Sequence, residues 1–139
     1  MNPPLYEDVL QLSLDIVNAS EVLNKEKEWN SYQQLKELCE INEKTTNNHP
    51  IQWEALADFT PGTEQAIYLY KKALQSSEKL GLNEYSASIN LAMAERHYES
   101  GNKKLAFTLA HRAGELAESS NDTELRKEIS EFLLTTSST

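Results

Sequence analysis

Residues Leu105–Ala117 read LAFTLAHRAGELA, with Ala106, Ala110, Ala113 and Ala117 at steps of four, three and four. On an α-helix that spacing draws one stripe along one side. So small a stripe gives up the surface that leucine would bury, and it belongs where another helix comes very close. Shifting the chain by 40 residues lays Ala66, Tyr70, Ala73 and Ser77 over the same four positions, and three of the four pairs are small in both copies. A self-match at a fixed spacing in a helix-rich sequence marks a helical repeat. Chance alanine periodicity in an ordinary bundle is the competing explanation.

The punctuation supports helices throughout. Gly62, Gly81 and Gly101 divide the second half into units of about twenty residues, and no β-branched alternation bounded by turn residues occurs anywhere. Thr60 reads as an N-cap with Pro61 at the first helical position. Gly81 reads as a left-handed terminator, and Asn121 can take the same conformation. Asn121 also stands three residues before Glu124, as in a capping box. In the first half, residues 5–23 and 26–43 read as amphipathic helices, the former with Leu5, Val9, Leu10, Leu12, Ile16, Val17 and Val22 as its apolar residues. Residues 42–50 are a polar breaker and 51–59 a short helix. The expectation is an all-α domain of six or seven helices in antiparallel hairpins stacked as a short solenoid. Its parts are an N-terminal hairpin (1–46), two repeats (50–120), a capping helix (121–135) that buries Leu125, Ile129, Phe132 and Leu133, and a disordered tail (136–139).

Charge narrows the function. The 139 residues carry 22 acids and 13 bases, a formal net charge of −9. Residues 1–60 account for −7 of it, with eleven acids and four bases. Nucleic-acid binding and attraction to anionic membrane both need clustered Lys and Arg, so neither is expected. An acidic half suits a basic partner, although solvated acidic helix faces are common. No secretion signal and no apolar stretch of membrane-spanning length is visible, so a cytoplasmic location is expected. The lone Cys39 excludes an intramolecular disulfide and reads as a half-buried helix residue.

AIYLYKKAL (66–74) has the A-x-x-x-[FY]-x-x-A-L pattern, which resembles the second helix of a tetratricopeptide repeat. MAERHYESGNKKLA (93–106) resembles the rest of a repeat, with Ala94, the aromatic step His97–Tyr98, Gly101 and Ala106. The pattern is broken at Asn90 and Met93, where Trp and Leu are usual, at Ala110, which replaces an aromatic, and at Glu118, which replaces Pro. The resemblance covers residues 50–120. HPIQWEALADFTPGTEQAIYLYKKAL (49–74) further resembles small tetratricopeptide-type immunity proteins encoded beside bacterial polymorphic toxins. It implies a cytoplasmic protein that binds and occludes a cognate, basic toxin domain. The alternative is an adaptor or chaperone that cradles an extended peptide of a partner.

Catalytic signatures are missing. His49, His97 and His111 fall in neither H-x-x-x-H nor H-E-x-x-H spacing, and no phosphate-binding glycine loop or nucleophile elbow is present. The expectation is therefore no enzyme activity, no metal and no cofactor. Surface recognition is the remaining role. The resemblance places Asp58, Ser88, Leu91, Glu95, Tyr98 and Glu99 on the concave face, and Glu54 lies one turn before Asp58. The residues singled out for partner binding are Trp53, Glu54, Asp58, Glu95, Tyr98 and Glu99, with Trp53 and Tyr98 as anchors. Trp29, Tyr32, Trp53 and Phe59 all lie in the acidic half, and core packing is the default for each, Trp53 included. Glu124 and Glu128, on the last helix, are expected to matter less.

Overall fold

A computed structural model describes residues 2–137. They form seven α-helices: α1 (Tyr6–Glu21), α2 (Lys25–Asn42), α3 (Pro50–Asp58), α4 (Thr63–Leu80), α5 (Asn83–Glu99), α6 (Lys103–Leu116) and α7 (Thr123–Ser137). There is no strand among the described residues, so the fold is all-α, as expected. Each helix packs on its successor, and α3 also meets α1 and α5. The first helices of the hairpins therefore make a layer of their own. No helix of the described residues is long and apolar enough to cross a membrane.

The tight turns share one chemistry. Gly81 (φ 68°) and Gly101 (φ 91°) terminate α4 and α5 in the left-handed region. In each, the following amide reaches back five residues: Leu82 N–H to Ser77 O at 2.9 Å, and Asn102 N–H to His97 O at 2.8 Å. The α1–α2 turn has the same closure, Asn24 N–H to Ala19 O at 2.8 Å, but its left-handed residue is Leu23 (φ 57°). Asn24 and Asn102 then cap the next helices through their side chains.

Several boundaries differ from the sequence reading. α4 starts at Thr63, with Gly62 as its N-cap. Thr60 is buried instead, its hydroxyl donating to Leu56 O at 2.8 Å and pairing with the Tyr32 hydroxyl at 2.7 Å. Asn121 is not left-handed, and Asp122 rather than Asn121 caps α7, its carboxylate accepting Leu125 N–H at 3.1 Å. α7 continues through Ser137, with Thr136 buried, so the expected tail from residue 136 is helical over its first two residues. Residues 138 and 139 lie outside the described residues. Cys39 is fully buried rather than half-buried, its Sγ donating to Gln52 O at 3.2 Å, and burial pushes its thiol up to about 12.

The small-residue stripe lies in the helix contacts. Ala66, Ala73, Ala106, Ala110, Ala113 and Ala117 are all at most 1% exposed. Ser77, the polar member, bonds Ser86 of α5 at 2.8 Å. The mismatched pair Tyr70/Ala110 has a steric reason. In the α5–α6 hairpin the large residue is Tyr98, which packs over Ala94, Ala106 and Ala110. The 40-residue shift puts Asp58 at the place of Tyr98, and there Tyr70 fills the gap from the opposite helix. α7 closes the stack by burying Leu125 and Ile129 against Ala87, Leu91 and Ala113, with Phe132 and Leu133 half-buried beside them.

Candidate functional site

The carboxylates of α3, α5 and α7 share one face. A cleft of about 380 Å³ opens among Glu54 of α3, Glu84, Tyr85 and Ser88 of α5, and Asp122, Glu124, Leu125 and Glu128 at the start of α7. Five of these eight residues are acids and none is basic. The acidic surface runs on along α5, because Glu95 lies close enough to Glu128, Glu99 and Asp58 for their charges to raise its carboxyl, after burial as the first cause.

Glu54 is the most perturbed acid. The 40-residue shift aligns it with Ala94, which is fully buried, so a carboxylate occupies a position that packs as a small residue. Burial pushes its carboxyl up to about 7, Asp58 adds to the rise, and the hydrogen bond from Ser88 Oγ to Oε2 at 2.6 Å opposes it. Asp58, one turn on, is exposed as a residue, but its carboxylate is crowded and accepts the Tyr70 hydroxyl. Its carboxyl is raised by burial and held back by that hydroxyl and by Arg96. The Arg96 guanidinium itself donates to the carbonyls of Ala57 (3.2 Å), Pro61 (3.3 Å) and Asp58 (3.4 Å), tying α5 to the C-terminal end of α3. A cation at that end also suits the helix dipole.

Four of the six residues singled out in the sequence therefore fall on this face: Glu54, Asp58, Glu95 and Glu99. Trp53 does not. It is 3% exposed, its indole N–H donates to Asn48 Oδ1 at 2.8 Å, and Lys72 Nζ lies 4.9 Å from its ring. Trp53 is a core residue, not an anchor. Tyr98 is half-buried, meeting Phe132 of α7 edge-on with centroids 5.8 Å apart. Leu91 is buried under α7 rather than lining an open face. Glu124 and Glu128, expected to matter less, form one wall of the cleft, and with Glu84 and Asp122 they are the acids of the cleft that the sequence reading missed, as it missed Tyr85. The available signal was the four-residue step between Glu124 and Glu128, which places both on one flank of α7 beside Leu125.

The histidines have local roles. His49 Nδ1 accepts Ile51 N–H at 3.1 Å and so caps α3, while its ring meets Tyr85 edge-on at 5.0 Å. Burial lowers its pKa, in keeping with a neutral acceptor. His97 is half-buried, its pKa lowered by burial and by Lys71. His111 is exposed, 3.8 Å from Glu115. Among the described residues no group of three or more His, Cys, Asp or Glu side chains is arranged to hold a metal ion.

No protein-family model matches this chain, and neither does any curated protein or solved structure.

Proposed function

We propose that this chain is a protein-binding module that receives a basic surface of another protein on the acidic face built by α3, α5 and α7. The observation that carries this reading is the convergence of carboxylates from three helices on one cleft that no basic side chain lines. Glu54 strengthens it. A carboxyl held near 7 by its surroundings is an unrelieved electrostatic cost, and a Lys or Arg docked beside it removes that cost. The resemblance to tetratricopeptide-type immunity proteins gives the reading its biological form, a cytoplasmic inhibitor that occludes a cognate basic toxin. Inhibition then works by steric occlusion, and the charge mainly accelerates encounter. The adaptor alternative calls for apolar pockets along the concave face. The cleft offers Tyr85 and Leu125 beside five acids, which favours a charged partner over an apolar peptide.

The test is a binding titration against the product of the adjacent gene. Reversing Glu95 and Glu128 together should weaken binding strongly at low salt and less at high salt. Reversing Glu26 and Glu37, exposed acids of α2, changes net charge equally and should have little effect. Equal losses from the two pairs would reduce the face to a solvated surface.

A further inference from the structure

A second surface lies on α1, at the opposite end of the stack from α7. Leu10, Leu14 and Val17 are 40%, 46% and 40% exposed, although α1 buries Val9, Ile16 and Ala19 on its other side. Glu7, Leu10, Leu14, Val17 and Glu21 follow one another at steps of three, four, three and four. That is the spacing of a seam between two paired helices. The seam runs about 21 Å at the usual rise per residue, and its three apolar members stand between two exposed carboxylates.

Charge decides what fits. α1 carries Glu7, Asp8, Asp15 and Glu21 and no Lys or Arg. Among the described residues none of these four acids is ion-paired. Glu21 sits in the last turn of α1, where the helix dipole disfavours an anion and no basic residue offsets it. A second copy of this chain would bring Glu against Glu at both ends of the seam, whether the two helices ran parallel or antiparallel. We infer that α1 docks an amphipathic helix of a partner protein, with apolar residues at the same spacing and Lys or Arg at the two ends of its seam. This surface is separate from the cleft of α3, α5 and α7 and does not rest on it.

The probes are two synthetic helical peptides with identical leucine seams, one ended by Lys and its twin by Glu, titrated against the full chain by fluorescence anisotropy. The Lys peptide should bind roughly fivefold tighter or more at low salt, from two attractive pairs replacing two repulsive ones, and the margin should shrink as salt rises. Leu14→Glu should abolish its binding, and the double variant Leu10→Gln/Val17→Gln should do so without adding charge. Leu134→Glu, at a 70% exposed position of α7, should leave binding unchanged. Helical circular dichroism confirms that each variant is folded. The inference is overturned if neither peptide binds, if the twins bind equally, or if the folded α1 variants keep their affinity. It is also overturned if the chain itself dimerises and Leu14→Glu dissolves the dimer, since a second copy then covers the seam.

Discussion

Replacing Glu54 with Gln should stabilise the protein, and the gain should depend on pH. Gln keeps an oxygen that can accept the Ser88 hydroxyl, now 2.6 Å from Oε2, and removes the ionisable group. A carboxyl raised from 4.5 to about 7 means that the folded state holds the proton more tightly than the unfolded one. The folded state thus bears a penalty that is absent below about 4.5, grows through the interval to about 7, and is constant above it. At about 1.36 kcal/mol per pH unit the full interval corresponds to a ceiling of ~3.4 kcal/mol. Because the carboxylate lines an open cleft, about half of that, ~1.5–2 kcal/mol, is the expected difference at pH 8. Asp58, whose charge contributes to the rise, is relieved by the same substitution, in the same direction. Urea unfolding of both proteins at pH 5, 6, 7 and 8, followed by far-UV circular dichroism, measures this directly. The difference between the two stabilities should be small at pH 5, grow to about pH 7 and level off by pH 8, with unchanged denaturant slopes. A difference that is flat with pH, or a variant less stable at pH 8, would refute the account of Glu54 as a carboxylate in a small-residue position.

Ala113, fully buried between α5 and α7, should not accept Leu: overpacking should cost about 1–3 kcal/mol in thermal or urea unfolding. Its neighbour should behave oppositely, because a Cβ on Gly114 meets only Ile129 Cγ2 at 3.6 Å, an ordinary contact, so Gly114→Ala should gain about 0.5–1 kcal/mol. His49 caps α3 as a neutral acceptor with a lowered pKa. Its contribution should be complete above about 6.5 and fade as pH falls below that, whereas His49→Asn, which caps without titrating, should lose this dependence in unfolding curves from pH 7.5 to 5. Deleting residues 122–139 should expose Leu91 and Ala113 and give an insoluble or dye-binding, molten product; a soluble, cooperatively unfolding truncation would show that α7 is dispensable.

How much was legible in the sequence depended on whether a residue's role is local or set by its neighbours. Gly81 and Gly101 announced their turns because few other residues take positive φ without strain. Leu23 gave no such sign, because the α1–α2 turn is imposed by the closure to Ala19 and by the Asn24 cap, which override the preference of the residue between them. The alanine stripe was readable because close approach leaves a size constraint at every turn of the helix. Trp53 was misread as an anchor, since an aromatic among acids looks the same in sequence whether its ring faces water or the core. Asp58, Glu95 and Glu99 could be grouped in sequence because the resemblance to a tetratricopeptide repeat assigns them to one face, and Glu54 joins them one turn before Asp58. Glu124 and Glu128 could not, since their place beside the cleft follows from the packing of Leu125 and Ile129 against α5 and α6.

That same packing links stability to the proposed function. Burying Leu125 and Ile129 draws Asp122, Glu124 and Glu128 towards Glu54 and Glu95, and nothing in the cleft neutralises the charges so gathered. A fold selected for stability alone would put Ala at position 54, as the aligned position 94 does. Keeping Glu there costs free energy in the isolated chain once the carboxyl is ionised, and a cation docked beside it would recover that cost. Partner binding through the cleft should accordingly release protons near neutral pH and strengthen as pH rises through about 7. Glu54→Gln should be the more stable protein and the weaker, less pH-sensitive binder. If the variant bound the basic partner as tightly as the native chain at pH 8, the strain at Glu54 would have no part in recognition.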